Sequence, residues 1–137
     1  MKQELDELLC NKYPKMFVNR HKSMQETCMC WGFSCGDGWF DLIDQLCGNI
    51  QSYIDNNKHL NVPQVTVDQV KEKFGTLRFY VTGGNELIRG MIWFAESMSG
   101  RICETCGAPG KCRGRGYIYT ACDEHAREGD NNDDLSE

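Results

Sequence analysis

Between residues 103 and 125, two ligand pairs stand at metal-binding spacing. Cys103 and Cys106 form C-x2-C, and Cys122 and His125 form C-x2-H, with fifteen residues between the pairs. A pair separated by two residues can aim both side chains at one ion from a tight turn, and two such pairs make a tetrahedral set that suits zinc. The stretch between them is rich in glycine (Gly107, Gly110, Gly114, Gly116) and poor in aliphatic side chains. It has too little apolar surface to order itself, whereas zinc ligation contributes on the order of 10 kcal/mol to folding. The expectation is one structural Zn²⁺ on Cys103, Cys106, Cys122 and His125. Gly107 lets the chain turn back so that amides face the sulfurs. A short hairpin through Tyr117, Ile118 and Tyr119 follows, and then a final helix begun at Thr120 or Asp123. That order is treble-clef-like. Four ligands describe a closed site, since a catalytic zinc keeps an open position. Cys112 could replace His125, but the spacing makes it the spare thiol.

The other cysteines read differently. The chain has nine in 137 residues, an odd number. The start, MKQELDELLC, lacks a basic region followed by an apolar run, so no secretory signal is expected. A reducing compartment with metal ligation explains this usage better than a disulfide scaffold. Cys28, Cys30 and Cys35, with His21 upstream, form C-x-C-x4-C, poorer metal spacing, and packed free thiols are the favoured reading over a second site. Cys10 and Cys47 fall on apolar helix faces. The deaminase pattern H-x-E with P-C-x-x-C is absent, and no catalytic residue is assigned.

Hydrophobic periodicity supplies the rest of an α+β fold. Leu5, Leu8 and Leu9 predict a short helix over residues 2–11, closed by Pro14. Residues 15–36 show no sustained period. Asp37 is a candidate cap for a long helix whose apolar positions run from Trp39 to Ile54 and which ends at Asp55, Asn56 and Asn57. Alternation at Val65, Val67, Leu77, Phe79 and Val81 predicts an antiparallel hairpin over 63–82, turning at KEKFG with Gly75 at positive φ. Gly83 and Gly84 break it. Asn85 then caps a second long helix carrying Leu87, Ile88, Met91, Ile92, Phe94, Ala95 and Met98, with Trp93 expected in the core. Two long amphipathic helices on a small antiparallel sheet, residues 1–101, are thus expected to carry a zinc finger at 102–127.

The formal net charge of −5 sits in the last ten residues, which hold five acids and no base and leave a body with 15 charges of each sign. Residues 128–137 are expected to be a disordered acidic tail. A neutral body offers little of the phosphate attraction that dominates nucleic-acid binding. Lys111, Arg113 and Arg115 nevertheless stand in the finger loop with Tyr117, an interleaving that could follow a nucleic-acid strand or contact a partner. Lys73, Arg78, Tyr80 and Trp93 are the candidates for a nucleotide or other small ligand. No apolar stretch reaches the length of about 18–20 residues needed to cross a bilayer, so no membrane partner is expected.

Taken together, CGDGWFDLIDQLC at 35–47, VKEKFGTLRFYV at 70–81 and ICETCGAPG with TACDEHA at 102–126 resemble a family of small, largely uncharacterised proteins encoded by bacteriophages and prophages. The resemblance covers roughly residues 5–126. It implies phage origin and action in the host bacterial cytoplasm, and it supplies no activity. The resulting expectation is a non-enzymatic, zinc-stabilised protein that binds a bacterial host protein, with inhibition of host defence as one form of that role. The alternatives are a nucleotide- or small-molecule-binding protein, including an enzyme, and a nucleic-acid-binding zinc finger.

Overall fold

The computed structural model describes residues 1–23 and 25–130. Three helices, α1 (Gln3–Lys12), α2 (Phe40–Asn56) and α3 (Glu86–Ser99), combine with β1 (Phe33–Ser34), β2 (Thr66–Lys73) and β3 (Thr76–Thr82) in one sheet. A second, two-stranded sheet, β4 (Lys111–Arg113) and β5 (Tyr119–Ala121), follows near the C-terminus. The architecture is α+β. No helix among the described residues is long and apolar enough to cross a membrane.

β2 and β3 pair antiparallel, with Val70 opposite Phe79 and Lys73 opposite Thr76. The two-residue turn between them places both Phe74 (φ 53°) and Gly75 (φ 85°) in left-handed backbone. That is the geometry whose twist matches a tight hairpin. β1 adds to β2 in parallel, Phe33 against Val70. It lies in the stretch that showed no period, because two residues are too few to show one.

β3 is an edge strand, and α3 satisfies its outward amides. Leu77 N–H donates to Ser99 Oγ (2.8 Å) and Phe79 N–H donates to Glu96 Oε2 (2.9 Å). An exposed row of unpaired amides would be a template for another strand, so this cover is protective.

α2 buries Ile43, Leu46, Cys47 and Ile50, and α3 buries Ile88, Ile92, Ala95 and Ser99. With Val67, Val70, Leu77 and Phe79 of the sheet, the apolar members of these sets form one cluster, which also takes in Leu9, Met16 and Trp39. Asn85 caps α3 as expected, its Oδ1 accepting from Ile88 N–H.

Two expectations change here. Asp37 does not cap α2: it opens a 3₁₀ turn, and its carboxylate accepts from Lys2 N–H at 2.7 Å. Trp93 is 71% exposed. The packed stripe of α3 is only as wide as Ile88, Ile92 and Ala95, and Trp93, one residue past Ile92, is turned about 100° away from it.

Candidate metal centre

The structure brings Cys103, Cys106, Cys122 and His125 together, with one ligand atom from each lying within 4.8 Å of the others. Cys106 Sγ is 3.7 Å from Cys122 Sγ, and His125 Nδ1 is 3.6 Å from Cys103 Sγ and 3.2 Å from Cys122 Sγ. Two sulfurs at ~2.3 Å from a tetrahedral ion stand about 3.8 Å apart, and a sulfur and a nitrogen about 3.5 Å. These three separations are those of ligands that share one metal ion, so the four residues form a plausible metal site.

Local backbone explains why these residues converge. The knuckle closes through Cys103 N–H to Ala108 O (2.7 Å) and Gly107 N–H to Cys103 O (2.9 Å), with Gly107 at φ 82°. Burial alone would raise the Cys103 thiol. The N–H groups of Cys122, Cys106 and Thr105 face its sulfur and outweigh that effect, holding it down to about 6. A thiol so placed is a ready metal ligand at neutral pH.

The second ligand pair follows β5. Here the expected helix is a single 3₁₀ turn, Asp123–His125, after which Ala126 is extended. Arg127 N–H, which a helix would have committed to a backbone carbonyl, donates instead to Tyr119 Oη (2.7 Å). Tyr119 Oη in turn donates to Asp130 Oδ2 (2.5 Å), so the chain is drawn back over the hairpin. Glu128, Gly129 and Asp130 belong to the described residues, while the acidic stretch from 131 to 137 lies outside them.

The CGDGW motif turns out to seat the knuckle. Gly38 N–H donates to Glu104 O (2.7 Å), Gly36 N–H to Glu104 Oε2 (2.9 Å), and Trp39 Nε1–H to Ile102 O (2.8 Å). A Cβ on Gly38 would come within 2.1 Å of Cys103 O, and one on Gly36 within 2.3 Å of Glu104 O. Only glycine permits this approach. From the other side, Thr120 Oγ1–H donates to Gly75 O (2.6 Å), tying β5 to the β2–β3 turn. The sequence marked these residues as a motif but carried no sign of what they touch.

The cations expected on the finger loop are dispersed. Arg113 is 1% exposed. Its guanidinium donates to Ala121 O (2.9 Å) and Asp123 Oδ1 (2.7 Å), so it is an internal brace and not a surface contact. This pairing holds the Asp123 carboxyl below its ordinary value. Tyr117 is exposed, but the Arg127 guanidinium stacks on its ring at 4.4 Å and on that of Tyr119 at 4.6 Å. Arg115 is exposed, and Lys111 is half-buried in a groove beside α3.

Cys112 is half-buried and outside the ligand cluster. Among the described residues Cys28, Cys30 and Cys35 join no ligand cluster: Cys35 is buried, Cys30 half-buried and Cys28 exposed. Cys47 is fully buried, and burial also raises its thiol above the ordinary range.

Fold and site define a small α+β protein bearing a Cys₃His metal-ligand cluster. Compared with protein-family models, curated proteins and solved structures, the chain finds no match.

Proposed function

We propose that this chain is a non-enzymatic phage protein, stabilised by one Zn²⁺, that works by binding a bacterial host protein, with inhibition of host defence as the form the phage resemblance favours. Three thiolates and one imidazole suit zinc, and a tetrahedral ion held by all four has no position left for a substrate. The knuckle followed by a hairpin supports a treble-clef-like order of elements, shortened at its last helix.

The observation that carries the binding role is an apolar surface between α2 and α3. Phe94 is 63% and Leu87 54% exposed, and Met91 lies between them on the same face of α3. Beside Met91 and Phe94 runs a recess of about 170 Å³, walled by Leu42, Leu46 and Ala95 and edged by Gln45 and Asn49. Contiguous exposed apolar surface rimmed by amides is the character of a protein-interaction site.

The test is capture from bacterial lysate by the zinc-loaded protein, followed by rebinding of the captured protein in purified form. The Phe94→Asp and Met91→Asp variants are expected to weaken rebinding at least about tenfold, as truncated or charged anchors do. Equal rebinding by both variants removes this surface from the role, and elemental analysis showing no zinc in folded protein removes the metal assignment.

A further inference from the structure

The opposite flank of α3 has another character. Trp93, one residue from Phe94, faces away from the apolar recess into a hollow of about 240 Å³ that it lines with Thr76, Arg78, Glu96 and Ser97. Ser97 also lines the next hollow, about 460 Å³, with Gly100, Arg101, Lys111 and Cys112. Gly110 and Lys111 continue into a third, about 330 Å³, ending at Arg113 and Asp123. The three adjoin, so one groove runs from the sheet edge across the C-terminal end of α3 to the finger hairpin.

Its charges are unbalanced. Arg78, Arg101 and Lys111 make no ion pair among the described residues. The two acids along the groove are already engaged: Glu96 accepts the Phe79 N–H, and Asp123 pairs with Arg113. Arg78 is half-buried at the sheet edge, and its Nε has no hydrogen-bond partner among the described residues. Arg78 also stands directly across the sheet from Lys71, a like-charge pair that destabilises a hairpin. Lys71 turns its Nζ over the Tyr80 ring at 5.9 Å, which leaves Arg78, Arg101 and Lys111 as the cations that phosphates along the groove would meet.

We infer that this groove binds single-stranded nucleic acid, with Arg78, Arg101 and Lys111 on successive phosphates and the Trp93 indole stacked on a base. An indole face 71% exposed at one end of a cationic groove is the combination that strand-binding proteins use. An acidic peptide would use the cations but leave the indole idle. From Trp93 to Ser99 α3 alone rises about 9 Å, so the groove accommodates more than one nucleotide. The site is independent of the proposed protein-binding surface on the other side of the helix.

The experiment is fluorescence anisotropy of labelled dT12 and rU12 with the zinc-loaded full chain, across a salt series, with heparin and a mononucleotide as competitors. Wild type is expected to bind at low salt, and the comparison of dT12 with rU12 reads whether the 2′-hydroxyl matters. Arg101→Glu/Lys111→Glu is expected to weaken binding at least tenfold and to flatten the salt slope by about 1.4, at about 0.7 for each single-strand phosphate no longer neutralised. Trp93→Ala is expected to weaken oligonucleotide binding about 5- to 150-fold, matching loss of one stacked base, and to leave heparin binding unchanged. Should a charge-reversed variant fail to hold one zinc, Arg101→Gln/Lys111→Gln replaces it.

No binding by wild type overturns the inference, as does binding unchanged in the cation variants. Equal losses for heparin and oligonucleotide on Trp93→Ala, or a mononucleotide competing as well per base as dT12, also overturn it. Phe94→Asp is expected to leave oligonucleotide binding intact, which separates this result from the fate of the host-protein reading.

Discussion

The core and the finger are held by different physics. In the core, buried aliphatic and aromatic side chains from α2, α3 and the sheet meet in one cluster, and polar groups mostly finish its edges. In the finger the buried apolar cluster is reduced to Cys103, Tyr119, Ala121 and Cys122, two of which belong to the candidate metal cluster. Order there comes from a polar brace, Arg113 to Asp123 and Ala121, closed over by Tyr119, Arg127 and Asp130, and would be completed by a metal on the Cys₃His cluster. A segment without aliphatic bulk can be fixed if charged and polar groups are few, directional and fully paired. The two regions meet where Gly36, Gly38 and Trp39 hold the knuckle.

The difference is tested most severely by the metal. Cys103→Ser, or removal of zinc by a chelator, is expected to cost the finger on the order of the ~10 kcal/mol that ligation contributes, and so to unfold it. Hydrogen exchange should then show β4 and β5 losing protection while α2, β2 and β3 keep theirs. Loss of both sets in one step would mean the regions form a single cooperative unit.

Acid should act in the same direction. The Cys103 thiol is held at about 6 against an ordinary 9.0, so its contribution is fully present above that ordinary value and is lost as pH falls through about 6. In the zinc-loaded protein, β5 protection is expected to hold at pH 7 and to fall as acid takes the thiolate from the metal, because metal and protons compete for it. A zinc-loaded finger that keeps both its zinc and its β5 protection well below pH 6 would contradict this.

Ile43→Ala asks the opposite question. Ile43 is fully buried in the core, and its truncation is expected to cost about 2–5 kcal/mol in global denaturant unfolding without changing zinc stoichiometry. The seam comes next. Gly38→Ala places a methyl within 2.1 Å of Cys103 O and 2.6 Å of Gly107 N, so the knuckle must shift. Zinc affinity by chelator competition is expected to fall about 10- to 100-fold, the range for lost support of metal ligands. An unchanged affinity would show that the knuckle forms without its seat.

The smallest effect belongs to the polar brace. Tyr119→Phe removes the hydroxyl that donates to Asp130 and accepts from Arg127 N–H, at an expected ~0.5–1.5 kcal/mol read as faster exchange of the Arg127 amide.

The amino-acid sequence determined what periodicity and spacing encode. The 3.6-residue stripes of α2 and α3, the alternation and turn of β2–β3, the Asn85 cap and the meeting of Cys103, Cys106, Cys122 and His125 were all legible, because each is a local pattern imposed by backbone geometry. Tertiary structure alone decided the rest. It turned Trp93 out and Arg113 in, since a residue's fate depends on which neighbour covers it and not on its own hydropathy. It also stopped the last helix at one turn, where a tyrosine hydroxyl eight residues back in the hairpin takes the amide that would have continued it. The CGDGW glycines stood in plain view as a motif, but their role is to admit a backbone more than 60 residues further along the chain. A missing side chain signals closeness without naming what comes close.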